Sequence, residues 1–235
     1  MKIEIWSDVM CPFCYIGKRN FEKALELFAD KDQLEIIWRS YQLNPEIPEV
    51  ATDSYENYLV KHKGMSVDQV REMLANVTQS AKQVGLDYHF DKTVMVNSLS
   101  AQKLVQFANT KGLGDQLEER LFRAFFTEGE NIADLAVLTR LGKEVGLDEK
   151  ELQLAFTDDN YAYLVQQDIA EARQIGVQGV PFFVMDRKYA VSGAQPMEMF
   201  LENLERSFLE WEAQNSKDKI KVSAGQSCTA DGKCE

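Results

Sequence analysis

Two cysteines separated by two residues sit where a strand-like run gives way to a helix-like run, and this placement constrains the chain more than any other feature. The stretch is Met10-Cys11-Pro12-Phe13-Cys14. Before it, Ile3 and Ile5 alternate with polar neighbours, the period of a strand running from Lys2 to about Trp6. After it, Phe21, Ala24, Leu25 and Phe28 fall at helical spacing in a run from Gly17 to Ala29. The first amide N–H groups of a helix have no partners within it and, with the helix dipole, favour a nearby anion. A thiol seated there ionises more readily, and thiolate is the form that attacks disulfides. Pro12 suits the first helical turn, because its fixed φ is already helical and its missing N–H is no loss there. The placement predicts an exposed nucleophile at Cys11 and a more buried resolving thiol at Cys14, one turn inside. The bland alternative is half of a zinc site, completed by Cys228 and Cys234 into a four-cysteine metal-binding or redox-sensing module.

The rest of the chain sorts into strands at its two ends and helices between. Leu34 to Leu43 is rich in Ile, Trp and Tyr and predicts a second strand, ended by Asn44-Pro45. Asp53 to Gly176 then reads as almost uninterrupted helix. Ser66 with Gln69, and Asp148 with Glu151, make capping-box patterns, and Asn97 or Ser98 caps another helix. Further helices are expected over Asp115 to Phe126, from Asp134, and over Asp159 to Gln174. Strands return in Val180 to Met185 and Lys188 to Ser192, joined by a turn at Asp186-Arg187 as a hairpin. Pro196 opens a last helix reaching Trp211, and a polar tail carrying Cys228 and Cys234 follows Gln214. The order is βαβ, a helical block, then ββα. The expected fold is α/β: a first half over 1–52, a helical insertion or cap over 53–176, a second half over 177–213, and a tail over 214–235, with the two halves sharing one sheet.

With 235 residues and 45% hydrophobic content the chain can bury a large core. Its net charge of −12 argues against a nucleic-acid partner. No apolar run has membrane-spanning length. A strand starting at Lys2 leaves no room for a signal peptide, so a cytoplasmic setting is expected. There disulfides are usually transient and catalytic, which fits four cysteines in two close pairs.

A proline heading a central strand, as Pro181 does in Gly179-Val180-Pro181, is awkward unless it serves a geometric end; on the residues alone the simpler alternative is a trans proline at a strand start. Taken together, the motifs resemble the DsbA family of thioredoxin-fold oxidoreductases, specifically its FrnE-like branch. The matching stretches are Ser7 to Gly17, Tyr41-Gln42-Leu43-Asn44-Pro45, Leu121 to Gly129, Ile175 to Val184, and Val191-Ser192-Gly193-Ala194-Gln195. The resemblance implies a thioredoxin-like fold with a large helical insertion and a protein disulfide oxidoreductase or isomerase. It makes Cys11 the nucleophile and Cys14 the resolving thiol. It makes Pro181 a cis-proline, with the Val180 backbone, Pro12 and Phe13 meeting the substrate. Cis bonds before proline are a minority state, kept where a tight turn is needed.

Two departures stand out. Oxidising periplasmic members carry His where this chain has Phe13, so a weaker oxidant is expected, with a reduction potential of roughly −270 to −180 mV. Many FrnE-like relatives also have His near Ala101-Gln102, where this chain has Gln102. Glutathione transferases of the kappa type and chromene-carboxylate isomerases share the superfamily but use Ser at the nucleophile position; Cys11 and Cys14 argue against that glutathione-dependent alternative. Cys228 and Cys234 resemble a second cysteine pair found in some FrnE-like proteins, and Asp231-Gly232 favours a turn between them. They read equally as a redox relay or a static disulfide. No cofactor or metal is expected. The expected partners are a disulfide-containing protein or thiol substrate and a reductant such as glutathione or a thioredoxin-type protein. His62 and His89 have no ligand-like spacing, and Glu128 reads as a helix-end charge.

Overall fold

In the computed structural model the described residues are 1–50 and 53–215; Cys228 and Cys234 lie outside them. Strand β1 (Lys2–Ser7) leads into helix α1 (Pro12–Leu27), and β2 (Glu35–Ser40) returns parallel to β1 with Ile3 opposite Ile36 and Ile5 opposite Trp38. The insertion follows: β3 (Asp53–Ser54), α2 (Tyr55–Lys63), α3 (Val67–Gln83), β4 (Val94–Met95), α4 (Leu99–Thr110), α5 (Gly114–Arg123), α6 (Leu135–Glu144), α7 (Glu149–Thr157) and α8 (Asp159–Gln174). The hairpin β5 (Phe182–Met185) and β6 (Tyr189–Ser192) and helix α9 (Met197–Asn215) close the fold. The sheet order is β2-β1-β5-β6, with β5 antiparallel to both neighbours. The βα and ββα ends of the chain therefore interleave, and the central pair β1–β5 carries Cys11 and Pro181 just beyond its strands.

All of β1 beyond Lys2 is buried, as expected of a central strand covered on both faces. On one face Phe21 of α1 meets Phe183 of β5 and Phe200 of α9, with ring centroids 4.6–5.6 Å apart. Helices α4, α5 and α8 pack against the β2 edge. There Asp168 of α8 accepts from Ser40 N at 2.8 Å, Arg39 at 3.0 Å and Gln106 at 2.5 Å, while Trp6 Nε1 donates to the Asp168 carbonyl at 2.9 Å. The insertion is thus held to the sheet by a buried, saturated carboxylate, and it covers an edge that would otherwise expose unpaired backbone.

The sequence expectations for the elements differ from the structure in two places. The short β3–β4 pair interrupts the expected helical run; two residues per strand are too few to carry an alternating signal. The helix expected over Asp115 to Phe126 begins at Gly114 and changes after Arg123 into a π-helical turn, Ala124–Glu128. Gly129 ends that turn at φ 72°, where Glu130 N reaches back to Ala124 O at 2.8 Å and an added Cβ would lie 2.6 Å from Lys92 Cβ. At α4, Ser98 precedes the helix but Asn97 does the capping, its Oδ1 accepting from Leu99 N at 2.8 Å. The Ser66–Gln69 capping box forms in full, and Asp148 caps α7.

Candidate active site

Helix α1 begins on the first cysteine. Cys11 occupies the N-cap position with extended backbone, Pro12 opens the helix, and Cys14 N donates to Cys11 O at 3.0 Å. Asp8 builds the approach: its carbonyl accepts from Cys11 N at 2.8 Å, and its carboxylate accepts from Met10 N at 3.2 Å and Leu43 N at 2.8 Å. From the other end of the chain the Val180–Pro181 peptide is cis, and Cys11 Sγ donates to Val180 O at 3.4 Å. Gly17 makes room for this approach, because a Cβ there would stand 2.9 Å from Pro181 Cγ. Of the predicted site residues, Cys11, Cys14, Pro12, Phe13, Val180 and Pro181 therefore gather at one end of the central strand pair. Cys228 and Cys234 lie outside the described residues.

One expectation needs correcting. Cys11 is only 5% exposed and Cys14 is fully buried; the exposed member of the motif is Phe13, at 46%. The insertion is the cause. Tyr55 Oη donates to Met10 O at 3.3 Å, and Tyr88 Oη donates to Pro12 O at 2.7 Å, so two tyrosines of the cap lie over the loop that carries Cys11. Phe13 lines a groove of about 430 Å³ with Met65, Met73 and Val77 of the insertion, which leaves an apolar surface beside the thiol.

Three buried acids or thiols share the space beneath. Burial pushes the Cys14 thiol well above its ordinary value, and its hydrogen bond with Cys11 adds to the effect. Ser7 Oγ donates to Glu118 Oε1 of α5 at 2.7 Å. Burial pushes Glu118 up to about 8 against the Ser7 hydrogen bond, with Asp8 raising it and Lys18 lowering it, and its Oε2 has no hydrogen-bond partner. Burial likewise pushes Asp8 up to about 6 despite the bonds from Leu43 and Met10. Both carboxyls hold protons more tightly folded than unfolded. Their contribution to stability is fully present below about pH 4, where the unfolded groups are also protonated. It is lost as pH rises, first through 6 for Asp8 and then through 8 for Glu118. Glu118→Gln removes one of these penalties. Chemical denaturation is expected to find the variant gaining on the natural protein as pH rises from 5 to 9; a gap that does not change with pH contradicts the burial of an ionising carboxyl.

Tyr55, Tyr88 and Glu118 were not legible as site residues, since each belongs to an ordinary amphipathic or turn pattern within the insertion. Gln102, noted for replacing a histidine, donates to Ser7 O at 3.1 Å and Tyr41 O at 3.2 Å and ties α4 to the ends of β1 and β2. His62 is exposed and stacks on Tyr58. His89 pairs with Asp87 at 3.1 Å. Glu128 pairs with Arg120 at 2.9 Å and Arg123 at 3.0 Å, a helix-end charge as expected.

A family model described as a DSBA-like thioredoxin domain matches residues 2–205. The crystal structure of the probable DsbA oxidoreductase SCO1869 from Streptomyces coelicolor superposes with a TM-score of 0.83 at 33% identity, covering 100% of this chain and 98% of that one. The uncharacterized protein YwbO of Bacillus subtilis (strain 168) is 27% identical over 201 residues, 84% of this chain and 92% of its own. The cytosolic disulfide reductase DsbM from Pseudomonas aeruginosa, solved with GSH, shares the fold with a TM-score of 0.61 at 20% identity, covering 92% of this chain and 100% of that one.

Proposed function

Because the chain belongs to the family of DSBA-like thioredoxin domains, we propose that it is a thiol–disulfide oxidoreductase acting on disulfides of polypeptides, with Cys11 as nucleophile and Cys14 as resolving thiol. The Cys11 thiolate attacks one sulfur of the substrate disulfide. An S–S bond forms to Cys11, and the second substrate sulfur leaves as thiolate and takes up a proton. Cys14 then gives its proton, by way of Ser7, to the ionised fraction of Glu118 and attacks Cys11 Sγ. The remaining substrate sulfur departs, and the Cys11–Cys14 disulfide holds the oxidation state until two electrons from a dithiol or from glutathione restore it. A buried acid raised toward the thiol range is matched to taking that proton.

The observation that carries this reading is the meeting of Cys11 Sγ with Val180 O at 3.4 Å, across 169 positions of sequence. It supports a substrate strand running past Val180 with its sulfur against Cys11, while Pro12 and the exposed Phe13 flank it. Reduction of insulin by the full chain, supplied with glutathione or dithiothreitol, tests the proposal. Turnover well above the reductant alone is expected, with a potential of roughly −270 to −180 mV. Stoichiometric tightly held zinc without turnover would favour the four-cysteine metal module instead. Small-molecule isomerisation that needs glutathione and survives loss of Cys14 would favour the glutathione-dependent alternative.

A reductive or isomerising direction goes with the proposed cytoplasmic setting, where disulfides are transient. We place the chain in the FrnE-like branch, and Cys228 and Cys234 are proposed as a second exchangeable pair. Cys228→Ser together with Cys234→Ser should slow recycling of the Cys11–Cys14 disulfide if they relay electrons; unchanged recycling rejects that role.

A further inference from the structure

The β5–β6 ladder gives Pro181 only half a rung. Its pairing ends with Phe182 opposite Ser192, and one bond continues it, Gly193 N donating to Pro181 O at 2.8 Å. A proline has no N–H with which to return a second bond. The hairpin by itself therefore fixes this end loosely. Gly193 begins a tight turn that is braced from within: Gln195 N donates to Gly193 O and Gln195 Nε2 donates to Ser192 O, both at 2.9 Å. Such a turn moves as a unit. Its far end is bonded to α1, because Asn20 Nδ2 donates to Gln195 O at 2.9 Å, across 175 positions of sequence. Asn20 lies one turn beyond Gly17 on the same face of the helix, the face where an added Cβ would stand 2.9 Å from Pro181 Cγ and 3.5 Å from Ala194 Cα.

These contacts close a ring. Cys11 Sγ meets Val180 O at 3.4 Å, and Val180 is joined to Pro181 through the chain. Pro181 O is held by Gly193, the turn ends at Gln195, and Asn20 holds Gln195 O. About 13 Å of α1 then leads from Asn20 back to Cys11. We propose that Asn20 is a positioning residue for disulfide exchange: by pinning the Gly193–Gln195 turn to α1, it keeps the Val180 carbonyl in reach of Cys11, so that a substrate strand running past Val180 delivers its sulfur to the nucleophile. The inference rests on the proposed oxidoreductase function. Asparagine is a poorer helix former than alanine, so its place inside α1 carries a local cost that the bond to Gln195 offsets. Asn109 is the matched comparison. It is also half-buried in a helix, and it donates to Trp38 O of β2 at 2.9 Å, on the other side of β1 from the Pro181 hairpin.

The test compares Asn20→Asp, which keeps the shape and loses the donor, with Asn20→Ala and Asn109→Ala in the full-length protein. It reads kcat/KM for insulin reduction, alkylation of reduced Cys11 by iodoacetamide followed by peptide mass, and chemical denaturation. Asn20→Ala is expected to lose about three- to ten-fold in kcat/KM, the range of one neutral hydrogen bond, and Asn20→Asp more, because its carboxylate repels the Gln195 carbonyl. Alkylation should not slow, since iodoacetamide approaches the sulfur without pairing to the Val180 strand. Asn109→Ala should keep natural turnover even where it loses more stability than Asn20→Ala, which regains helix propensity. Natural turnover in Asn20→Asp, or an equal loss in Asn109→Ala, overturns the positioning role alone. Alkylation slowed in step with turnover also overturns it, because the fault would then lie in the thiol itself. No insulin reduction by the natural protein removes the function on which the inference rests, and the inference with it.

Discussion

Cys11→Ser is expected to reduce insulin reduction to the uncatalysed background, a loss on the order of a thousand-fold or more. A serine hydroxyl does not ionise near neutral pH and attacks sulfur poorly. The neighbouring thiol cannot take over: Cys14 is fully buried, and burial holds its proton well above the ordinary thiol range. The fold should survive. Cys11 packs within a few ångströms of a carbonyl acceptor, Val180 O at 3.4 Å, which a hydroxyl can also use. Insulin turbidity alongside chemical denaturation separates the two effects. Catalysis retained in a folded Cys11→Ser protein would remove Cys11 from the chemistry.

Gly17→Val is expected to be nearly as damaging, by a different route. A Cβ at position 17 meets Pro181 Cγ at 2.9 Å, with Ala194 Cα at 3.5 Å and Phe183 Cε2 at 3.6 Å behind it. The proline ring is fused to its backbone, so the contact can be relieved only by moving the loop that carries Val180 or by tilting α1. Either shift separates Val180 O from Cys11 Sγ. Helix propensity opposes the steric effect in Gly17→Ala, since Ala gains about 1 kcal/mol over Gly inside a helix. Overpacking costs about 1–3 kcal/mol and wins or breaks even there; in Gly17→Val the branched side chain adds to the clash and loses the propensity gain. Turnover should fall roughly a hundred-fold in the valine variant, the scale of an ångström-sized misplacement at a reacting centre. Wild-type turnover in Gly17→Val would mean that the Pro181 loop need not sit against α1.

Much of this site can be read from residue order. The strand, the cysteines and the helix-opening Pro12 set Cys11 at an N-cap by local rules alone, and the ββα pattern after Gly176 identifies Pro181 as the residue that heads the returning strand. What escaped is what the insertion brings. Tyr55 lies 44 positions and Tyr88 77 positions after Cys11 in the numbering, and nothing in their neighbourhoods marks a hydroxyl aimed at a distant carbonyl. Glu118 sits in a charged run, Gln116 to Arg120, whose pattern reads as a solvated helix face, yet tertiary packing turns it inward against Ser7. The expectation of an exposed Cys11 failed for the same reason: local rules place the thiol at the helix mouth, and only the docked insertion decides how much water reaches it.

The most direct measurement uses the full-length Cys14→Ser protein mixed with a disulfide-bonded peptide, followed by mass analysis of each cysteine. With Cys14 gone, an attack by Cys11 has nothing to resolve it. A single peptide half held in disulfide linkage at Cys11 is the predicted result. No adduct, or an adduct confined to Cys228 or Cys234, would contradict it.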